Sequence, residues 1–166
     1  MSQQGICSRR EADRYIEQGL VEVDGNTIDK LGTKIYPHQK LTLKKQAERA
    51  QQSLVTILVN KPVGYVSGQA EGSYQPAVQL VIPENQFLRS ATDKPRFDPR
   101  MLRGLAPAGR LDIDSRGLLV LTQDGVIARQ LIGADSKIEK EYLVWVQGQI
   151  SEPALARLRH GLELDG

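Results

Sequence analysis

Gly109-Arg110-Leu111-Asp112-Ile113-Asp114-Ser115-Arg116-Gly117-Leu118-Leu119-Val120-Leu121-Thr122-Gln123-Asp124-Gly125 is the most informative stretch of the 166-residue chain. It places charged residues between two glycines, directly before an apolar run. Gly109 and Gly117 allow the backbone to bend or to approach a ligand closely. Leu118 to Thr122 has the length and composition of a buried strand, and Gln123-Asp124-Gly125 turns the chain. Val126 to Ile132 reads as a short helix closed by Gly133. Read from residue chemistry alone, the Arg110-Leu111-Asp112 segment suits a structural turn with an ion pair as well as a catalytic site. Asp112 and Asp114 would share a face in extended chain, the arrangement a glycosidase needs, but need not share one in a turn.

Working outward, Leu54 to Asn60 is apolar and rich in strand formers, and Lys61-Pro62-Val63-Gly64 ends it with a turn. From Gly68 to about Arg103 the pattern is irregular. Residues 85–110 carry six cations (Arg89, Lys94, Arg96, Arg100, Arg103 and Arg110) against Asp93 and Asp98. That imbalance suits a solvated loop or an arm that contacts phosphates. Glu141 to Gln147 is expected to be a strand, with Tyr142 and Val144 on one side and Leu143 and Trp145 on the other. Ser151 caps a last helix with Pro153 in its first turn and Leu155, Leu158 and Leu162 along its apolar stripe.

Toward the N-terminus, Ser8-Arg9-Arg10-Glu11 is a capping box, and a helix follows over about residues 9–17. Ala12, Tyr15 and Ile16 form its apolar face, while Arg9, Arg10 and Arg14 lie off it. Gly19 suits the left-handed position after the helix. Val21-Glu22-Val23 and Lys40-Leu41-Thr42-Leu43 read as strands of a small sheet. Residues 46–53 are polar, with no wide apolar face, and read as a linker.

Composition bounds the function. Hydrophobic residues make up 40% and charged residues 25%, a globular balance. No run approaches the length of a membrane span, and the polar start shows no secretion signal, so a cytoplasmic location is expected. Cys7 is the only cysteine, which excludes an internal disulfide; beside a helix start it reads as a small core residue. His38 and His160 lie far apart without other ligands nearby, so no metal site is expected. A net charge of +2 permits nucleic-acid binding through a local patch without demanding it.

Four ordered motifs resemble those of RNA pseudouridine synthases of the RsuA/RluB/RluE/RluF type, nearest its RluF-like members. They are the stretch from Gly109 to Gly125, Val59-Asn60-Lys61-Pro62-Val63-Gly64, Lys140-Glu141-Tyr142-Leu143-Val144, and Gly5 to Gly25. The last resembles the alpha-L RNA-binding module shared with a ribosomal small-subunit protein. The resemblance implies an α+β fold in three parts: the alpha-L module over residues 1–45, a linker over 46–53, and a mixed or antiparallel-sheet catalytic domain over 54–166. It also implies one further helix before Met1, and further strands with a basic Arg-Gln-Ile-Arg type segment after Gly166. By that measure the chain is truncated at its C-terminus.

The activity so implied is cofactor-free isomerisation of a uridine in ribosomal RNA, of the large subunit, by a monomer. Asp112 takes the place of the family's catalytic aspartate. Attack on the base, attack on the sugar and stabilisation of a glycal-type intermediate all remain open for it, and each needs an ionised carboxylate at the ribose–base bond. The target base must leave its stack to be reached. Arg110 is expected to enter the vacated gap and hold phosphate, and Tyr142 to pack on the flipped base. Arg9, Arg10 and Arg14, with Arg96, Arg100 and Arg103, are the expected RNA contacts. The alternative is a truncated relative that binds RNA without chemistry.

Overall fold

The computed structural model describes residues 1–90, 92 and 97–162. Helix α1 spans Arg9–Glu17. Its capping box forms as the sequence predicts: the Ser8 hydroxyl accepts the Glu11 N–H, and the Glu11 carboxylate accepts the Ser8 N–H at 2.9 Å. Gly19 at φ +63° closes the helix, with its N–H on the Ile16 carbonyl and the Leu20 N–H on that of Tyr15. Strands β1 (Val21–Val23), β2 (Asn26–Ile28) and β3 (Leu41–Leu43) form an antiparallel sheet in the order β2-β1-β3. Cys7, Ala12, Tyr15, Leu20 and Val21 are buried between helix and sheet. Burial pushes the Cys7 thiol up to about 11, which suits a core residue and not a nucleophile.

The stretch read as a linker is instead helix α2, Lys45–Gln52. Ala47 is fully buried in the core of the first module. One turn later, Gln51 Nε2 donates to Glu11 Oε1 at 2.8 Å and to the Tyr15 hydroxyl at 2.9 Å. One small apolar side chain and one amide therefore dock this helix, without the wide apolar face whose absence suggested a linker.

In the second part, β4 (Thr56–Lys61) and β8 (Gly117–Thr122) pair antiparallel along their full lengths. The two-residue β7 (Ala106–Pro107) adds to the far side of β8. Strands β5 (Tyr65–Val66) and β6 (Gln75–Pro76) form a separate parallel pair. Val59, Ala77, Leu119 and Leu121 make the buried core, with Ile57, Leu105 and Leu111 against it. Helix α3, Gly125–Ile132, is capped by Asp124 and ends at Gly133 as expected. The two parts touch where Arg129 Nη1 donates to the Ser2 carbonyl at 3.3 Å. A Cβ on Gly125 would come within 2.5 Å of the Ser8 Cβ.

Two expectations fail near the end of the chain. Residues 141–147 form no strand; Tyr142 is 62% and Trp145 81% exposed. Apolar alternation suits a strand, but a strand also needs a neighbour to complete its hydrogen-bond ladder, and none of the described strands pairs with this segment. Helix α4, Glu152–His160, is capped by Ser151 as predicted, yet of its stripe only Leu155 is half-buried, and Leu158 and Leu162 are exposed.

Candidate active site

The antiparallel register of β4 and β8 creates the site. Lys61, the last residue of β4, pairs with Gly117, the first of β8. The Pro62-Val63-Gly64 turn leaving β4 therefore lies beside the Arg110–Arg116 segment entering β8. Gly109 at φ +105° and Gly117 at φ +134° bracket that segment in backbone conformations that a Cβ disfavours. Between them the Ser115 N–H donates to the Asp112 carbonyl at 3.1 Å, making the expected turn.

The segment alternates. Arg110, Asp112 and Asp114 are exposed, while Leu111 and Ile113 are half-buried against the protein. Arg110, Asp112 and Asp114, with Leu111 and Ile113 between them, line a cavity of about 560 Å³ together with Val66 to Gln69, Glu71 and Pro107. That volume lies in the range of sites that enclose a small organic group. Asp112 and Asp114 do share the cavity, the arrangement that sequence alone left open.

Behind the segment sits a residue that the sequence analysis did not single out. Lys61 is 0% exposed. Its ammonium donates to the carbonyls of Pro62 at 3.0 Å, Tyr65 at 2.9 Å and Ile113 at 3.5 Å. Burial lowers its pKa, and the nearby Asp112 and Asp114 carboxylates oppose that shift. A buried cation is thus bonded to the Ile113 carbonyl, one residue beyond Asp112. The signal was strand parity: Ile57, Val59 and Lys61 share the inward face of β4, so a lysine there had to be buried.

Other predicted residues fall elsewhere. Tyr142 lies on the exposed segment and does not line the Asp112 cavity. Its exposure also excludes a purely core role. Arg9, Arg10 and Arg14 are exposed along α1, with the Arg14 guanidinium 5.4 Å from the centre of the Tyr15 ring. Arg100 is tied to Asp98, Nη2 to Oδ2 at 2.6 Å, in an exposed pair of the kind that contributes little stability and opens readily. Arg103 is exposed, and Arg96 lies outside the described residues. A larger cleft of about 660 Å³ is lined by residues of the first module, among them Arg9 and Asp13, and by Arg129; neither Asp112 nor Asp114 lines it. Among the described residues no cluster of side chains is suited to hold a metal, and no helix is long and apolar enough to cross a membrane.

This arrangement, a cavity-lining aspartate on an Arg-Leu-Asp turn ahead of an apolar strand, coincides with a family match. Residues 55–164 match the RNA pseudouridylate synthase family. The chain belongs to that family. Residues 1–39 match the S4 domain, the RNA-binding module at the front of the chain. The dual-specificity RNA pseudouridine synthase RluF of Escherichia coli K12 is 35% identical over the whole of this chain and 51% of its own length. An uncharacterised RNA pseudouridine synthase of Mycobacterium bovis is 35% identical over 99% of this chain and 60% of its own. One from Aquifex aeolicus is 30% identical over the same shares. A crystal structure of a pseudouridylate synthase is similar over 74% of this chain and 46% of its own, at 23% identity and a TM-score of 0.34. The chain spans about half to three-fifths of the length of the curated relatives it matches.

Proposed function

We propose that this synthase-family chain isomerises a uridine of ribosomal RNA, of the large subunit, to pseudouridine, with Asp112 as the catalytic nucleophile. The observation that carries the reading is the placement of Asp112. Asp112 is exposed and lines an open cavity, and the residues on either side of it are held by Lys61, Gly64 and Ser67. A flipped uridine entering that cavity would bring its ribose–base bond to the carboxylate. In this reading Arg110, exposed and lining the same cavity, meets the RNA backbone beside the vacated stack. Asp114 shares the cavity but is assigned no bond-making role. The reaction needs no cofactor, and we place it in the cytoplasm, in a monomer. Incubating ribosomal RNA with the full-length protein and separating its nucleosides tests this reading. Pseudouridine gained at the expense of uridine is expected; free uracil would instead indicate a hydrolase using Asp112 and Asp114.

In this reading Tyr142 packs on the base and assists proton transfer at C5, which requires its segment to reach the cavity. A Tyr142→Phe variant should keep the parental thermal midpoint, because the side chain is exposed. It should slow single-turnover isomerisation about tenfold or more, the lower range of general acid–base contributions. A parental rate would remove Tyr142 from the chemistry. The position of Tyr142 outside the cavity is also what favours the second reading, a relative that holds RNA without reacting.

The proposed RNA grip is electrostatic, through Arg9, Arg10 and Arg14 on α1 and through the segment with Arg96, Arg100 and Arg103. Replacing the three α1 arginines with alanine should lower the slope of log affinity against log salt by roughly two, at about 0.7 per phosphate contact on a single strand. Turnover of bound RNA should change little. Identical slopes for parent and variant, measured on a structured ribosomal RNA hairpin, would remove α1 from the docking surface.

A further inference from the structure

Ser67 is only 5% exposed and lines the same cavity as the Arg-Leu-Asp turn. Its hydroxyl donates to the Leu111 carbonyl at 2.7 Å and accepts the Leu111 N–H at 2.8 Å. One side chain thus satisfies both backbone groups of one residue, 44 positions away in sequence. It does for Leu111 what a neighbouring strand would do, but at a single point. Leu111 lies between Arg110 and Asp112, and its own side chain packs on the core of the second part. On the other side of Asp112, the Ile113 carbonyl accepts the Gly64 N–H at 2.9 Å and lies 3.5 Å from the Lys61 ammonium. The backbone groups on both sides of Asp112 are therefore held from one stretch, residues 61–67: by the Gly64 N–H and by the Lys61 and Ser67 side chains. Asp112 itself stays exposed to the cavity.

We infer that Ser67 is a positioning residue for catalysis: its two-way bond to Leu111 sets the direction in which Asp112 faces the ribose–base bond. The inference rests on the reading of Asp112 as the catalytic carboxylate. Without the hydroxyl, the half-buried N–H and carbonyl of Leu111 lose their partner, and the turn must shift to find another. A displacement of about 1 Å at a reacting group can cost on the order of a hundredfold in rate. The role needs a group that both donates and accepts, so threonine can supply it and valine, of the same shape, cannot.

The test uses the full-length protein with Ser67→Thr, Ser67→Val and Ser67→Ala. Single-turnover isomerisation of saturating RNA is measured well below each variant's thermal midpoint, beside RNA affinity. The expected result is a rate within about threefold of the parent for Thr, and a fall of roughly ten- to a hundredfold for Val and Ala. RNA affinity should stay within about threefold throughout, because Arg110 is the one proposed phosphate contact beside Leu111 and the others lie on α1 and on residues 96–103. A purely structural role would lower the midpoint and leave the rate of folded protein intact, which would overturn the inference. Hydrogen exchange in the unmodified protein gives a check independent of any variant's folding. The Leu111 amide should be protected although its neighbours Arg110 and Asp112 are exposed, and rapid exchange there would also overturn it. A parent that makes no pseudouridine, or an active Asp112→Asn variant, would instead refute the functional reading, and the protection of Leu111 would still decide whether the clamp exists.

Discussion

Asp112→Asn should abolish isomerisation in the full-length protein while leaving RNA affinity within about a factor of ten. The substitution keeps the side-chain volume and removes the carboxylate. Asp112 makes no side-chain hydrogen bond among those of the described residues, and its backbone turn uses only the carbonyl. The fold therefore loses little, whereas a covalent or charge-stabilising role loses its essential group. A loss of about a thousandfold or more corresponds to at least roughly 4 kcal/mol of transition-state stabilisation. Asp114→Asn lies on the same cavity wall and serves as the control; it should be far milder. Equal losses from the two would restore the paired-carboxylate mechanism of a glycoside hydrolase. Near-parental turnover of Asp112→Asn would end its assignment as nucleophile.

Lys61→Met should carry the largest stability cost of any single change around the site. Methionine fills most of the same space but removes the ammonium that serves the carbonyls of Pro62, Tyr65 and Ile113. Burial without that partner should cost about 3 kcal/mol. For a chain of this size that corresponds to a fall of roughly 10 °C in thermal midpoint. The parent should also show a pH signature that the variant lacks. Burial depresses the folded-state pKa of Lys61 below its ordinary 10.5. Between the two values the unfolded chain binds more protons than the folded one, so this residue's contribution to stability rises with pH across that interval. Denaturant unfolding of both proteins at several alkaline pH values measures the difference. A parental midpoint and an unchanged pH profile would show that Lys61 does not support the turn.

Legibility in the sequence followed how local each signal was. Helix α1 was readable to its ends because the Ser8–Glu11 capping box and Gly19 are chemical stop and start signals within one segment. Strand β8 was readable because an apolar run after a glycine-flanked turn has few other uses. Helix α2 was missed because its docking depends on Ala47 and Gln51 meeting Glu11 and Tyr15, partners more than thirty positions away. The strand expected over residues 141–147 failed because alternation describes side chains, while a strand is made by hydrogen bonds to a neighbour. At the site, Arg110, Asp112 and Asp114 were visible as a motif, but their shared cavity required the turn geometry. Lys61 was quoted in its motif without a role; strand parity could have marked it as buried. Ser67 had no local signal, since its partner is Leu111.

The central claim concerns chemistry at the ribose–base bond, and tritium release tests it most directly. Ribosomal RNA labelled with tritium at C5 of uridine is incubated with an excess of the full-length protein. Rejoining the base through C5 expels that hydrogen, so the account predicts release of one equivalent of tritium to water per reactive site, with no free uracil. Tight RNA binding with no tritium release would contradict it and leave a binding relative without catalysis.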